Sequence, residues 1–204
     1  MARQRGGRLR DRPGRLRRRR ARPVSSVGAG ESGDASETTV ADRAAASGPL
    51  TVDLADLPTL LGRELGPSSA VVIDQAQVDD FARLTGDEQW IHVDPARAAA
   101  VGGTIVHGFL ALSLVARFWG ELLEVTGVAQ AVNYGLDRVR FIQRIPVGSA
   151  LSLTARVAAI TPRDGGTRVD LEIALHADLA ADTDRPVAVA TSIVLFLEPE
   201  RSIP

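Results

Sequence analysis

A chain of 204 residues, 45% of them hydrophobic, is long enough to bury one sizeable core and falls within the usual span of a single domain. It contains no cysteine, which excludes a disulfide scaffold, a thiolate zinc site and a cysteine nucleophile, so any nucleophile must be oxygen or water. The formal net charge of -1 hides an asymmetry: residues 1–22 hold eleven arginines and one acid, Asp11, leaving 13 basic and 24 acidic residues beyond, so the presumptive globular part is acidic and no nucleic-acid partner is expected there.

Residues 1–49 do not read as a fold. Arg3 to Arg22 lacks apolar periodicity, and Ser25 to Gly48 is too polar to offset the entropy of ordering it, so a disordered leader is expected, Arg-rich and then Ser/Gly/Ala-rich. The run Arg17 to Arg20 has the charge of an arm for nucleic acid or a membrane surface, but charge is its only warrant. A solvated tail, or an upstream start that the cell does not use, is the preferred reading. Behind the basic stretch, Pro23 to Val40 holds no apolar segment of the roughly 7 to 15 residues a secretory signal needs. No run approaches the roughly 20 apolar residues of a membrane span. A cytoplasmic protein with no membrane partner is expected.

From Leu50 to residue 200 the pattern is that of one domain. Leu54 to Leu65 is an apolar-spaced lead-in ending near Gly66-Pro67, and Ala70 to Ile73 reads as a first short strand. Asp74 with Gln77 three residues on predicts a capped helix start, and Gly86 its end. Asp94-Pro95 opens another short helix, which Gly102-Gly103 closes. Gly108 to Val125 is apolar on almost every side, and predicts a helix about 27 Å long at 1.5 Å per residue that must be enclosed. Four long strands follow: Val132 to Ile145, then two of period-two alternation, Leu151 to Val157 and Arg168 to Leu175, turned at Asp164-Gly165-Gly166, and finally Val187 to Leu197. The last is apolar on both faces, which points to burial against a second subunit or sheet. One enclosed helix followed by long antiparallel strands is an α+β arrangement, a curved sheet wrapped around a central helix.

The stretch Phe81-Ala-Arg-Leu-Thr-Gly-Asp-Glu-Gln-Trp-Ile-His-Val-Asp-Pro95, followed by Gly102-Gly-Thr-Ile-Val-His-Gly-Phe-Leu110, resembles the MaoC-like dehydratases, the (R)-specific enoyl-CoA hydratases. Val132-Asn-Tyr-Gly-Leu-Asp-Arg-Val-Arg-Phe141 and Ile145-Pro-Val-Gly148 look like the branch that includes nodulation protein N, and the resemblance runs from about residue 55 to 198. It implies a hot-dog fold, a homodimer, and a catalytic site containing Asp87 and His92. The chain departs from the family pattern in three places. Gln89-Trp90 stands where many members read Asn-Pro, the segment before His107-Gly108 is about two residues short, and Ala116 stands where some members carry a serine.

The chemistry makes independent sense of these residue types. Hydrating a trans-2-enoyl thioester needs a water oxygen to attack C3, a proton for C2, and stabilisation of the charge developing on the thioester oxygen. A carboxylate and an imidazole flanking one water supply the proton traffic, each such contribution being typically about 10² to 10⁴ in rate. By motif position the backbone N–H of Gly108, at the start of the central helix, is the oxyanion donor. Coenzyme A then belongs to the substrate, and neither a cofactor nor a metal is expected.

Gln89, His107, Arg138 and Arg140 are the further substrate-binding candidates. His107 equally suits a structural role, bonding loop backbone beside the helix start, while Arg138 and Arg140 would meet coenzyme A phosphates or only water. Asp94 is accounted for by the helix start, and His176, on the Arg/Glu face of a strand, by solvation. Two rival functions remain open: a hot-dog thioesterase, and a non-catalytic protein that binds acyl thioesters.

Overall fold

The structure, a computed structural model, describes residues 48–179 and 185–199; the expected leader lies outside the described residues except for Gly48 and Pro49. The chain enters through β1 (Leu50–Asp53), a 3-10 helix (Leu54–Leu60) and two short strands, β2 (Glu64–Leu65) and β3 (Val71–Val72). Helix α1 (Gln75–Thr85) begins at a capping box in which the Asp74 side chain accepts from the Gln77 amide, and the Gln77 side chain accepts from the Asp74 amide. It ends at Gly86, whose φ of 77° is the left-handed conformation that favours glycine. Two four-residue helices follow, α2 (Trp90–Val93) and α3 (Pro95–Ala98), the latter capped by Asp94 with proline in its first turn, as the sequence predicts.

The central helix is α4 (Gly108–Ser113) running into α5 (Val115–Leu122) through Leu114. At this junction the Leu114 amide bonds the Ala111 carbonyl, which tightens the turn to 3-10 geometry. The helix is three residues shorter than its apolar run. Leu123 to Thr126 forms β4, which pairs in parallel with β1, so Leu123 and Val125 are consumed by a strand that no periodicity announces.

Strands β5 (Gln130–Phe141), β6 (Ala150–Arg163), β7 (Gly166–Ala177) and β8 (Ala188–Leu197) form the main sheet, in the order β2-β6-β7-β8-β5 with β3 also on β6; all pairings in it are antiparallel. One face carries Leu151, Leu153, Val157, Val169, Leu171 and Leu175, all essentially without exposure, and these pack with Ala111, Val115, Phe118 and Leu122 of the helix in a single core. The sheet-and-helix arrangement expected from the sequence is therefore present.

One expectation needs correction. The central helix is buried along one side, not all round: Phe118 is fully buried, whereas Phe109 is 70% exposed. Strand β8 lies inside the sheet between β7 and β5, and both its core-facing Val194 and its outward-facing Ile193 are buried, in keeping with its apolar pattern on both faces. The full-length edge left open among the described residues is β5, and it exposes Tyr134 and Leu136.

Candidate active site

Three segments converge at the start of the central helix. The loop after α1 brings Asp87, the short helix α2 brings His92, and the residue before α4 is His107. One carboxylate oxygen of Asp87 and one ring nitrogen of each histidine lie within 4.8 Å of one another. Both histidines are buried, and Asp87 is the most open of the three.

Backbone carbonyls hold the two rings. His92 Nδ1 lies 2.7 Å from the Ile105 carbonyl, an acceptor only, so this nitrogen carries a proton and in the neutral ring Nε2 keeps the lone pair. His107 Nε2 lies 2.9 Å from the backbone carbonyl of Asp87, so it donates there and its Nδ1 is the bare nitrogen. That Nδ1 is buried with no hydrogen-bonding partner among the described residues. The rings stack with centroids 3.7 Å apart and planes 21° from parallel, and Phe81 of α1 closes on His107 with a centroid distance of 5.1 Å. His107 thus ties the Asp87 loop to the helix start, which is the structural role the sequence left open for it.

Three such donors are what a divalent cation takes. However, imidazole lone pairs lie in the ring plane, and two rings stacked 21° from parallel hold those planes one above the other, a poor arrangement for meeting at one point. As arranged, the cluster suits hydrogen bonding to a small oxygen species better than chelation.

Gly108 opens α4, where first-turn N–H groups have no carbonyl partner within the helix. A Cβ at this position would lie 2.9 Å from the Phe141 ring. The absence of a side chain is therefore explained by the close packing of β5 on the helix start, a reason additional to substrate access.

Gln89 precedes α2. Its carbonyl accepts from the His92 amide at 2.9 Å, while its exposed side chain does not cap the helix. Trp90 lies beneath the Arg97 guanidinium, 4.4 Å from the ring centroid, which braces α2 against α3.

Arg138 and Arg140 are not brought to the histidines by their own strand. Arg140 pairs with Val189 and Arg138 donates to Thr191, both on the sheet face turned away from the helix. Arg138 sits at a bulge with φ of 53°, and lines a depression of about 400 Å³ with Glu64, Thr154, Arg156 and Glu172. A role on coenzyme A phosphates would require the ligand to pass around the β5 edge. His176 is half-buried rather than solvated, with Nε2 3.0 Å from the Thr154 hydroxyl, and desolvation lowers its pKa from the usual value.

One functional candidate escaped the sequence reading. Gln75, in the first turn of α1, donates from Nε2 to the His92 carbonyl at 2.7 Å, and its Oε1 accepts from the Thr104 hydroxyl at 2.6 Å. No spacing marks this residue, because its partners lie 17 and 29 positions away.

Residues 56–177 match the family described as MaoC like domain. The chain is 41% identical over 146 residues to 3-hydroxyacyl-thioester dehydratase Z of Mycobacterium tuberculosis (strain ATCC 25618 / H37Rv), covering 71% of this chain and 95% of that protein. It is 48% identical over 103 residues to nodulation protein N of Rhizobium meliloti (strain 1021), covering 48% of this chain and 63% of that protein. Among solved structures, the (R)-hydratase from A. caviae involved in PHA biosynthesis superposes with a TM-score of 0.54 at 23% identity, covering 68% of this chain and 96% of that one; this likeness bears on the hot-dog fold.

Proposed function

The chain belongs to the MaoC-like dehydratase family, and from that premise we propose that it interconverts trans-2-enoyl and (R)-3-hydroxyacyl thioesters, with Asp87 and His92 handling the water. The observation that carries the reading is the anchoring of His92 beside Asp87: Nδ1–H is committed to Ile105, which leaves the lone pair to Nε2, and a ring nitrogen of His92 lies within 4.8 Å of an Asp87 carboxylate oxygen. A water between these two groups gives its hydroxyl to C3 of the enoyl thioester, and C2 receives the proton. The reverse sequence removes water from the 3-hydroxyacyl form. The Gly108 amide N–H donates to the thioester oxygen as negative charge builds there, and losing a donor of that kind commonly costs roughly 2.7–4 kcal/mol. His107 holds the Asp87 loop, and its bare Nδ1 is an acceptor for a substrate group or a second water.

The reading takes the thioester to be that of coenzyme A, so that coenzyme A enters as substrate and no separate cofactor is required. It places the enzyme in the cytoplasm, in fatty-acid metabolism; among the described residues no helix is long and apolar enough to cross a membrane. It also takes the working form as a homodimer joined at the β5 edge, supported by the apolar residues exposed on that strand.

Incubation with crotonyl-CoA tests the reaction. Loss of the conjugated enone absorbance without release of free thiol is the expected result; thiol release would mark a thioesterase, and saturable binding without turnover a binder. Asp87→Asn and His92→Ala are each expected to fold normally and to lower turnover by at least about 10²-fold. Near-full activity in either variant would remove that residue from the mechanism.

A further inference from the structure

We propose that Gln75 is a positioning residue, which with Thr104 sets the tautomer and orientation of the His92 imidazole; the proposal deepens the reading of His92 given above and rests on it for its effect on turnover. The carboxamide of Gln75 is fully engaged. Nε2 donates to the His92 carbonyl at 2.7 Å and to Asp79 Oδ1 at 2.7 Å, while Oε1 accepts from the Thr104 hydroxyl at 2.6 Å. The amide can face only one way, because the His92 carbonyl and the Asp79 carboxylate accept and cannot donate, so the donor end must meet them.

These bonds close a ring around His92. Its own side chain donates from Nδ1 to the Ile105 carbonyl; Ile105 is bonded to Thr104 along the chain; the Thr104 hydroxyl donates to Gln75; and Gln75 donates back to the His92 carbonyl. The Ile105 amide in turn bonds the Ile91 carbonyl at 3.0 Å, fastening the same two segments one residue earlier. Gln75 thus adds a second tie, beside the Ile105–Ile91 bond, that holds the separation of the two stretches of backbone between which the His92 Nδ1–H···O=C bond is strung. If that separation loosens, Nδ1 loses its acceptor and the proton is free to move to Nε2, the nitrogen that must stay bare to take a proton from water. Thr104 is buried, so its hydroxyl has no ready exchange with solvent when Gln75 is gone.

The test uses two sites, so that the outcome does not hang on one variant folding. Gln75→Leu keeps most of the side-chain bulk and removes all three bonds; Thr104→Val removes only the hydroxyl, and Thr104→Ser restores it. For each, nitrogen-15 imidazole spectra read the His92 tautomer, with the three histidines of the chain assigned by single replacement, and steady-state kinetics with crotonyl-CoA read kcat and KM separately. The expected result is an Nδ1–H signal in the parent and in Thr104→Ser, and a mixture of tautomers in Gln75→Leu and Thr104→Val. The mixture should accompany a fall in kcat of about tenfold to 10²-fold with KM little changed, the scale on which small misplacements of reacting groups act. An unchanged His92 tautomer in folded Gln75→Leu, or in Thr104→Val if the first does not fold, overturns the proposal. A shifted tautomer with undiminished kcat leaves the positioning role standing and counts against the use of His92 in the reaction.

Discussion

At the scale of single residues, the site depends on side chains whose protonation is set by what they touch. His92 and His107 both have one nitrogen committed to a backbone carbonyl, so each presents one bare nitrogen. The third histidine, His176, obeys a different constraint. It is half-buried on the outer face of the sheet against Thr154, and desolvation lowers its pKa from the ordinary 6.5. The unfolded chain takes up a proton near that ordinary value while the folded protein resists it, so protons favour the unfolded state. The contribution of His176 to stability is thus lost as pH falls below about 6.5, and levels off once pH is below the depressed folded value. Thermal midpoints measured between pH 7.5 and 5 are expected to fall less steeply for His176→Gln than for the parent; identical slopes would remove His176 as a source of acid sensitivity. Asp87, His92 and Gly108 stand out as candidates in the sequence because they sit at fixed spacings within one motif-bearing stretch, and the structure brings Asp87 and His92 together. Gln75 does not stand out, since a glutamine in a helix's first turn looks like any solvated polar residue until folding brings Thr104 and the His92 carbonyl to it.

At the scale of elements, local chemistry predicts boundaries well where one side chain does the work. The reciprocal bonds of Asp74 and Gln77 start α1, a left-handed Gly86 ends it, and Asp94 caps α3, all readable from residue type and spacing. The capping box also sets the phase of the turn that carries Gln75. Asp74→Ala should therefore lower stability in urea by about 1 kcal/mol. Asp80→Ala removes a pair with Arg83 that is 2.7 Å long but exposed on both sides, and should change stability by less than about 0.5 kcal/mol. Equal losses in the two variants would mean that the cap contributes no more than a solvated ion pair. Periodicity fails where apolar residues serve two elements in succession. Leu122 is the last residue of the central helix and Leu123 the first of β4, and only the parallel partner β1, more than 70 positions earlier, decides the change. A helix-period apolar run says that residues are buried, and leaves open what buries them.

At the scale of the whole molecule, the two edges of the main sheet are treated differently. On the β6 side, β2 and β3 cover parts of the strand, so much of its backbone is paired. On the other side β5 runs twelve residues, paired with β8 alone. An open strand of that length ordinarily carries charges or proline against edge-to-edge association. Strand β5 has such charges in Asp137, Arg138 and Arg140, with a bulge beside them, yet it also exposes Tyr134, Leu136 and Phe141, and Phe109 of α4 meets Phe141 edge-on at 5.8 Å while itself 70% exposed. This edge lies next to β8, whose two-sided apolar pattern points to a second subunit or sheet, and it is the edge that a second copy would extend. Because Phe141 also packs over Gly108, an occupied edge would close the side of the helix start that β5 borders. Light scattering of the parent chain should give twice its 21.6 kDa mass. Tyr134→Lys combined with Leu136→Lys, which puts two charges on the same edge, should shift the mass to that of one chain while leaving the far-ultraviolet circular dichroism of the fold in place. A parent that is already monomeric at micromolar concentration, or a double variant that stays dimeric, would rule out β5 as the joining edge.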